Sequence, residues 1–161
     1  MSANRWDHRD VAFERYSNAL MNPASFEERV ANGVMALEAL LLEERLELGY
    51  RLRFRAAKLL GFLGEGSIAV RDAISDAYGV RSAFAHGARL SSGQKSKFEN
   101  RYGTPDGLVR VTLNFVRKAI LISLLVTRTK KDLIRLIDDA FIERPAEDQL
   151  QQLLLPVSEL V

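Results

Sequence analysis

One histidine, His86, stands five residues after Arg81 and four after Ser82, and this set is the chain's most suggestive chemistry. Imidazole is the side chain that exchanges a proton most readily near neutral pH. A guanidinium matches a phosphate with two parallel N–H groups and stabilises charge that develops on it. Together they could move protons and steady a phosphoryl group without a metal. At 100° per residue, Arg81 shares a helical stripe with Val70, Ile74, Ala77 and Phe84. A cation on an apolar stripe must find a partner or an anion, because an unpaired buried charge is costly. Ser82 lies one turn before His86 and can reach its ring. Arg81 and His86 are roughly 140° apart on a regular helix, so one straight helix does not converge them. A second copy of the helix about a two-fold axis could.

Other chemistries are excluded or weak. With no cysteine, disulfides, thiol nucleophiles and cysteine zinc sites are excluded. His8 and His86 are far apart, with no His-x-x-x-His or Glu-x-x-His spacing, so no metal or cofactor is expected. Gly61, Gly64 and Gly66 lack the lysine and strand of a phosphate loop. Asp72 with Asp76, and Asp138 with Asp139, read as solvated carboxylates on helix faces.

The elements that must position these residues are helices. Proline and glycine punctuate long periodic stretches, alternating strand patterns are few, and no repeat is present. A first helix is expected over 10–21, ended by Asn22-Pro23. Ser25 and Glu28 form a capping-box signature for a second, which carries Phe26, Val30, Val34, Leu37 and Leu41 to about Glu44. A third covers 46–60. Ser67 can cap a fourth that stops near Gly87. Residues 91–107 read as a loop with at most one helical turn. A fifth helix spans 108–126, a sixth follows Thr129, and Pro145 can start a short seventh. The expectation is one all-α domain over 1–161, a bundle of five to seven helices. Its core lies at about 26–142, with 1–25 and 145–161 as peripheral helices. The apolar residues 150–161 could pack on the bundle or receive a partner. The beginning has no apolar signal-like segment, and the longest apolar run, 119–126, is too short to span a bilayer, so a cytoplasmic protein without a membrane association is expected.

The surroundings of the Arg–His pair add a resemblance. Tyr78-Gly-Val-Arg81-Ser82-Ala-Phe-Ala-His86-Gly87 resembles the signature of the HEPN superfamily, most of all its Apea-like branch. Leu37-Glu38-Ala39-Leu40-Leu41 and Arg55-Ala56-Ala57-Lys58-Leu59-Leu60-Gly61 are similar to two upstream helices of that branch, in the same order. The likeness covers about 26–142. It implies a helical bundle that forms a homodimer in which two Arg–His motifs meet. It also implies a metal-independent endoribonuclease acting on RNA, with a toxin or antiphage role and an antitoxin or defence-system partner. Carried onto this chain, Arg81 clamps phosphate, His86 is the general acid or base, and Ser82 orients His86 or touches phosphate. Some relatives lost activity and serve as modules that bind nucleic acid, nucleotide or a protein. Some antitoxin-controlled relatives have a tyrosine two after the histidine; here that position is Ala88, which puts such control in doubt. A plain helical interaction protein is the third reading.

Charge suggests where RNA would lie. Residues 51–101 hold ten basic and four acidic side chains, a net of +6, against −4 for residues 1–50. Lys95, Lys97 and Arg101 interleave with Phe98 and Tyr102, which suits a single strand whose bases stack on rings while cations take phosphates. The competing expectation is that Phe98 and Tyr102 pin this segment to the bundle. On the third helix Arg51, Arg55 and Lys58 share a face, read as solvated or as a track for an RNA backbone. Glu38 could hold Arg55, or Arg81 across the bundle, as a supporting ion pair.

Overall fold

The structure is a computed structural model that describes residues 7–21 and 24–161. The chain is all-α, as its periodicity requires, and no helix among the described residues is long and apolar enough to cross a membrane. Eight helices are present among the described residues: α1 (His8–Met21), α2 (Phe26–Leu41), α3 (Leu48–Gly61), α4 (Ser67–Ala85), α5 (Ser92–Tyr102), α6 (Gly107–Leu125), α7 (Lys130–Asp139) and α8 (Arg144–Ser158). The proposed break at Asn22-Pro23 lies outside the described residues.

α2 is the hub. It packs on α1, α4 and α6, and α3 lies against α4. Its buried stripe of Val30, Val34, Leu37, Leu40 and Leu41 meets Ala73, Ile74 and Ala77 of α4 and Leu108, Val116 and Ala119 of α6 in one core. The Ser25 hydroxyl accepts from the Glu28 N–H at 3.2 Å and starts α2 as the spacing predicts. Thr129 starts α7 in the same way, accepting from the Asp132 N–H. The first and last helices each bury a face as well: Ala12 and Ala19 of α1, and Leu150, Leu154 and Val157 of α8.

Three boundaries differ from expectation, each for a local reason. α2 stops at Leu41 rather than near Glu44, and α3 starts at Leu48. The turn between them carries Glu44 and Glu47 back over α3, through a left-handed Glu47 (φ 57°). Ser67 does not cap α4; Gly66 holds the cap position, and the Ser67 hydroxyl sits where a side chain on Gly61 would stand. Residues 91–107 are not a loop with one turn at most, and this raises the helix count above seven. Ser91 and Gln94 close a reciprocal capping box, and Gly103 ends the helix in the left-handed conformation (φ 82°). α5 buries no residue fully, so its ends mark it better than its periodicity does.

The polar contact that ties the bundle together belongs to Arg55, whose side chain is 2% exposed. Its Nε and Nη2 donate to the two Asp138 oxygens at 2.8 and 2.7 Å. Nη1 donates to the Leu41 carbonyl at 3.0 Å and to Glu44 at 2.8 Å. The guanidinium bonds hold the Glu44 carboxyl down to about 2. Removing one partner of a buried pair costs about 3–5 kcal/mol. Glu44 and Asp138 are partly exposed and can rehydrate, so Arg55→Ala should cost about 3 kcal/mol, read from the urea midpoint. A carboxyl depressed in the folded state adds stability above its unfolded value of 4.5, and that stability is lost as pH falls toward 2. The wild type should therefore lose more stability than Arg55→Ala across that interval, and equal losses would contradict the role given to this pair.

Candidate active site

The last two turns of α4 carry Tyr78, Arg81, Ser82 and His86. His86 is the C-cap, and Gly87 follows it with φ 72°. The Ala88 N–H bonds to the Ala83 carbonyl and the Gly87 N–H to the Phe84 carbonyl, both at 2.9 Å. This is a Schellman ending, which needs glycine at the left-handed position. Gly87 thus stops the helix one residue after His86 and leaves His86 exposed. Upstream the buried stripe is Val70, Ala73, Ile74, Ala77 and Val80. Phe84, expected on that stripe, is 37% exposed, because the last turn of α4 stands at the edge of the core.

Arg81 sits at this edge, with 30% of its side chain exposed. Its Nη2 donates to Glu38 Oε2 of α2 at 3.3 Å, and its guanidinium lies 5.9 Å from the Tyr78 ring centre. The pairing is incomplete. Arg81 Nε and Glu38 Oε1 are both shut off from solvent with no partner among the described residues. Burial pushes the Glu38 carboxyl up, against the pull of Arg81. The Tyr78 ring in turn rests against Gly49 of α3, where an added Cβ would lie 2.9 Å from Tyr78 Cε1. A side chain there would push the Tyr78 ring aside, a constraint with no mark in the local sequence pattern.

The sequence expectations are met unevenly. Glu38 holds Arg81 and not Arg55. Arg55 is too deep and is taken by Glu44 and Asp138 instead. Asp138 is therefore no solvated carboxylate. Asp72 and Asp76 are not either: Arg101 binds them at 3.4 and 2.9 Å. The three cations of the α3 face that share the i, i+4, i+7 spacing each have a partner inside the fold. Arg51 pairs with Glu44 and Glu47, Arg55 is buried, and Lys58 binds Glu147 at 2.7 Å. Ser82 and His86 share no side-chain hydrogen bond among the described residues. Within one chain, then, Arg81 and His86 are brought to one helix end but not joined.

The 95–102 segment is pinned to the bundle. Phe98 stacks on Phe26 with ring centres 6.4 Å apart, and the Tyr102 hydroxyl donates to Asp76 at 2.7 Å. Burial and that carboxylate push the Tyr102 phenol well up. Lys95 binds Glu27 at 3.2 Å. Lys97 is exposed and makes no side-chain contact of this kind among the described residues. None of the five is bonded to Arg81, Ser82 or His86.

No family model, no curated protein and no solved structure matches this chain.

Arg81 and Glu38 should be strongly coupled. Arg81→Ala leaves a buried carboxylate unpaired and should cost about 1–3 kcal/mol. Glu38→Gln alone removes a charge that burial disfavours and should cost less. Combined, the two substitutions should be less destabilising than their sum, as a urea double-mutant cycle would read. Additive losses would show that the pair is not coupled.

Proposed function

We propose that the chain is a metal-independent endoribonuclease of HEPN type, whose site is the Arg81–Ser82–His86 end of α4, completed by a second copy about a two-fold axis. The observation that carries this reading is the state of Arg81. It keeps a foothold on Glu38 and Tyr78 yet has a desolvated Nε–H with no acceptor. A phosphate at the exposed part of the guanidinium would bring a negative charge to a half-paired cation. An exposed imidazole stands five residues further along the same helix end.

The chemistry follows from the substrate. The RNA 2′-hydroxyl attacks the adjacent phosphorus, a new O–P bond forms, and the bond to the 5′-oxygen breaks. The products are a 2′,3′-cyclic phosphate and a free 5′-hydroxyl. One imidazole takes the proton of the 2′-hydroxyl and one gives a proton to the leaving 5′-oxygen. A two-fold site offers two histidines for these two jobs. Arg81 bears the charge that grows on the non-bridging oxygens. Ser82, which makes no bond to His86 in the single chain, is free to contact phosphate. A role in defence or as an antitoxin-controlled toxin, in the cytoplasm, belongs to the same reading.

One observation favours the second reading, a non-catalytic HEPN module that binds nucleic acid, nucleotide or a protein. In the single chain Arg81 is held by an acid and His86 ends a helix, which is a structural use for both.

Purified protein incubated with labelled RNA in EDTA separates the two. The wild type should cleave and leave a cyclic phosphate. His86→Ala should lower the rate by roughly 10²–10⁴-fold. Arg81→Ala should lower it about 10²–10³-fold, and the double variant should be little worse than either, because the groups act as a unit. A folded His86→Ala protein that cleaves at the wild-type rate, or a wild type active only with added magnesium, would refute the assignment. A wild type inert on every RNA would favour the binding module.

A further inference from the structure

We infer that single-stranded RNA reaches this site along a track on α3, with bases stacking at Tyr50 and Phe54 in a cleft closed by Phe141 and Ile142, and phosphates meeting Arg53. The inference rests on the ribonuclease reading and adds where its substrate lies.

The cleft lies between α3 and the turn after α7. Its volume is about 410 Å³, and Tyr50, Phe54, Phe141 and Ile142 form its apolar walls, with Arg51 and the Arg55–Asp138 ion pair as its polar lining. Its rings are not core. Tyr50 is 57% and Phe141 49% exposed. Tyr50 and Phe54 lie with ring centres 4.7 Å apart and tilted by 43°. A cleft of this size, with aromatic walls and few polar groups, suits a planar ring.

The cations around it distinguish this surface from an ordinary apolar patch. The Arg53 guanidinium lies 5.4 and 5.5 Å from the Tyr50 and Phe54 ring centres. No carboxylate lies within ion-pair distance of it among the described residues. Its Nε is desolvated with no partner, as is that of Arg51, whose two ion pairs are long at 3.4 and 3.5 Å. α3 itself carries Arg51, Arg53, Arg55 and Lys58 and no acid. Rings for bases beside an arginine with no carboxylate partner suit a polyanion.

The helix that carries the cleft also touches the proposed site. Gly49, beside Tyr50 in the chain, supports the Tyr78 ring, and the Arg81 guanidinium lies 5.9 Å from that ring's centre. The same chemistry on α5 is spent inside the fold, since Phe98, Tyr102, Lys95 and Arg101 all have intramolecular partners.

The test is binding of a short fluorescein-labelled single-stranded RNA, measured by anisotropy in EDTA on a His86→Ala parent that does not cut it. Tyr50→Ala and Arg53→Ala, each added to that parent, should weaken binding by about tenfold. Arg53→Ala should also lower the salt slope by about one. Tyr50→Phe should bind like the parent, which controls for folding. If Tyr50→Ala and Arg53→Ala, folded by circular dichroism, bind RNA as the parent does, the track is wrong. The ribonuclease reading then survives if the wild type still cleaves. If the parent binds no RNA, the track is refuted, and a wild type that also fails to cleave takes the ribonuclease reading with it.

Discussion

Arg55 uses all five of its N–H donors inside the fold, and most of the bundle's polar geometry depends on that. A buried guanidinium is tolerated only when its donors are satisfied and its charge is compensated. Leu41 at the end of α2, Glu44 in the following turn and Asp138 on α7 supply the acceptors. Three segments are thereby locked onto one side of α3. The turn that delivers Glu44 also sets where α3 begins. Gly49, in its first turn, supports Tyr78, and Tyr78 lies under Arg81. The clamp at Arg55 and the candidate site are thus linked through the placement of one helix.

Arg55 and Arg81 show two uses of one side chain. Arg55 is saturated, and nothing could be gained by admitting a ligand. Arg81 makes one hydrogen bond of 3.3 Å, leans on a ring, and leaves its Nε–H and a Glu38 oxygen without partners. Buried polar atoms in that state each forgo about 1–3 kcal/mol. That half-satisfied cation beside the exposed His86 is what supports the proposed catalytic reading, and the angular offset between Arg81 and His86 is what supports a second copy within that proposal.

What the sequence made legible was what local physics controls. The Ser25 and Thr129 caps, the apolar stripe of α2 and the long apolar pattern of α6 all read correctly because their causes lie within one or two turns. α5 was hidden because it buries no residue fully; its signal was in Ser91, Gln94 and Gly103 at its ends. The acids were misread for a different reason. Asp138 is 83 residues from Arg55, and Asp76 is 25 from Arg101, so nothing local distinguishes them from solvated carboxylates. For the candidate site, Arg81 on its stripe was a correct signal that a partner was required, and Glu38 was among the partners expected. The aromatic surface of α3 was missed because Tyr50, Arg53 and Phe54 stand among residues that do pack, and only the exposure of Tyr50 and the half-burial of the other two set them apart.

The central claim is that two α4 ends meet. The chain has no cysteine, so a single nitroxide label can be attached through Ala88→Cys without removing any other residue. Dipolar electron resonance on the labelled protein reads the distance between two such positions directly. Two α4 ends packed about a two-fold axis should give a single narrow distance, short enough for helix ends at the usual spacing of about 8–10 Å, allowing for the label tethers. An absence of intermolecular dipolar coupling at concentrations where RNA is cleaved, or a long distance only, would contradict it.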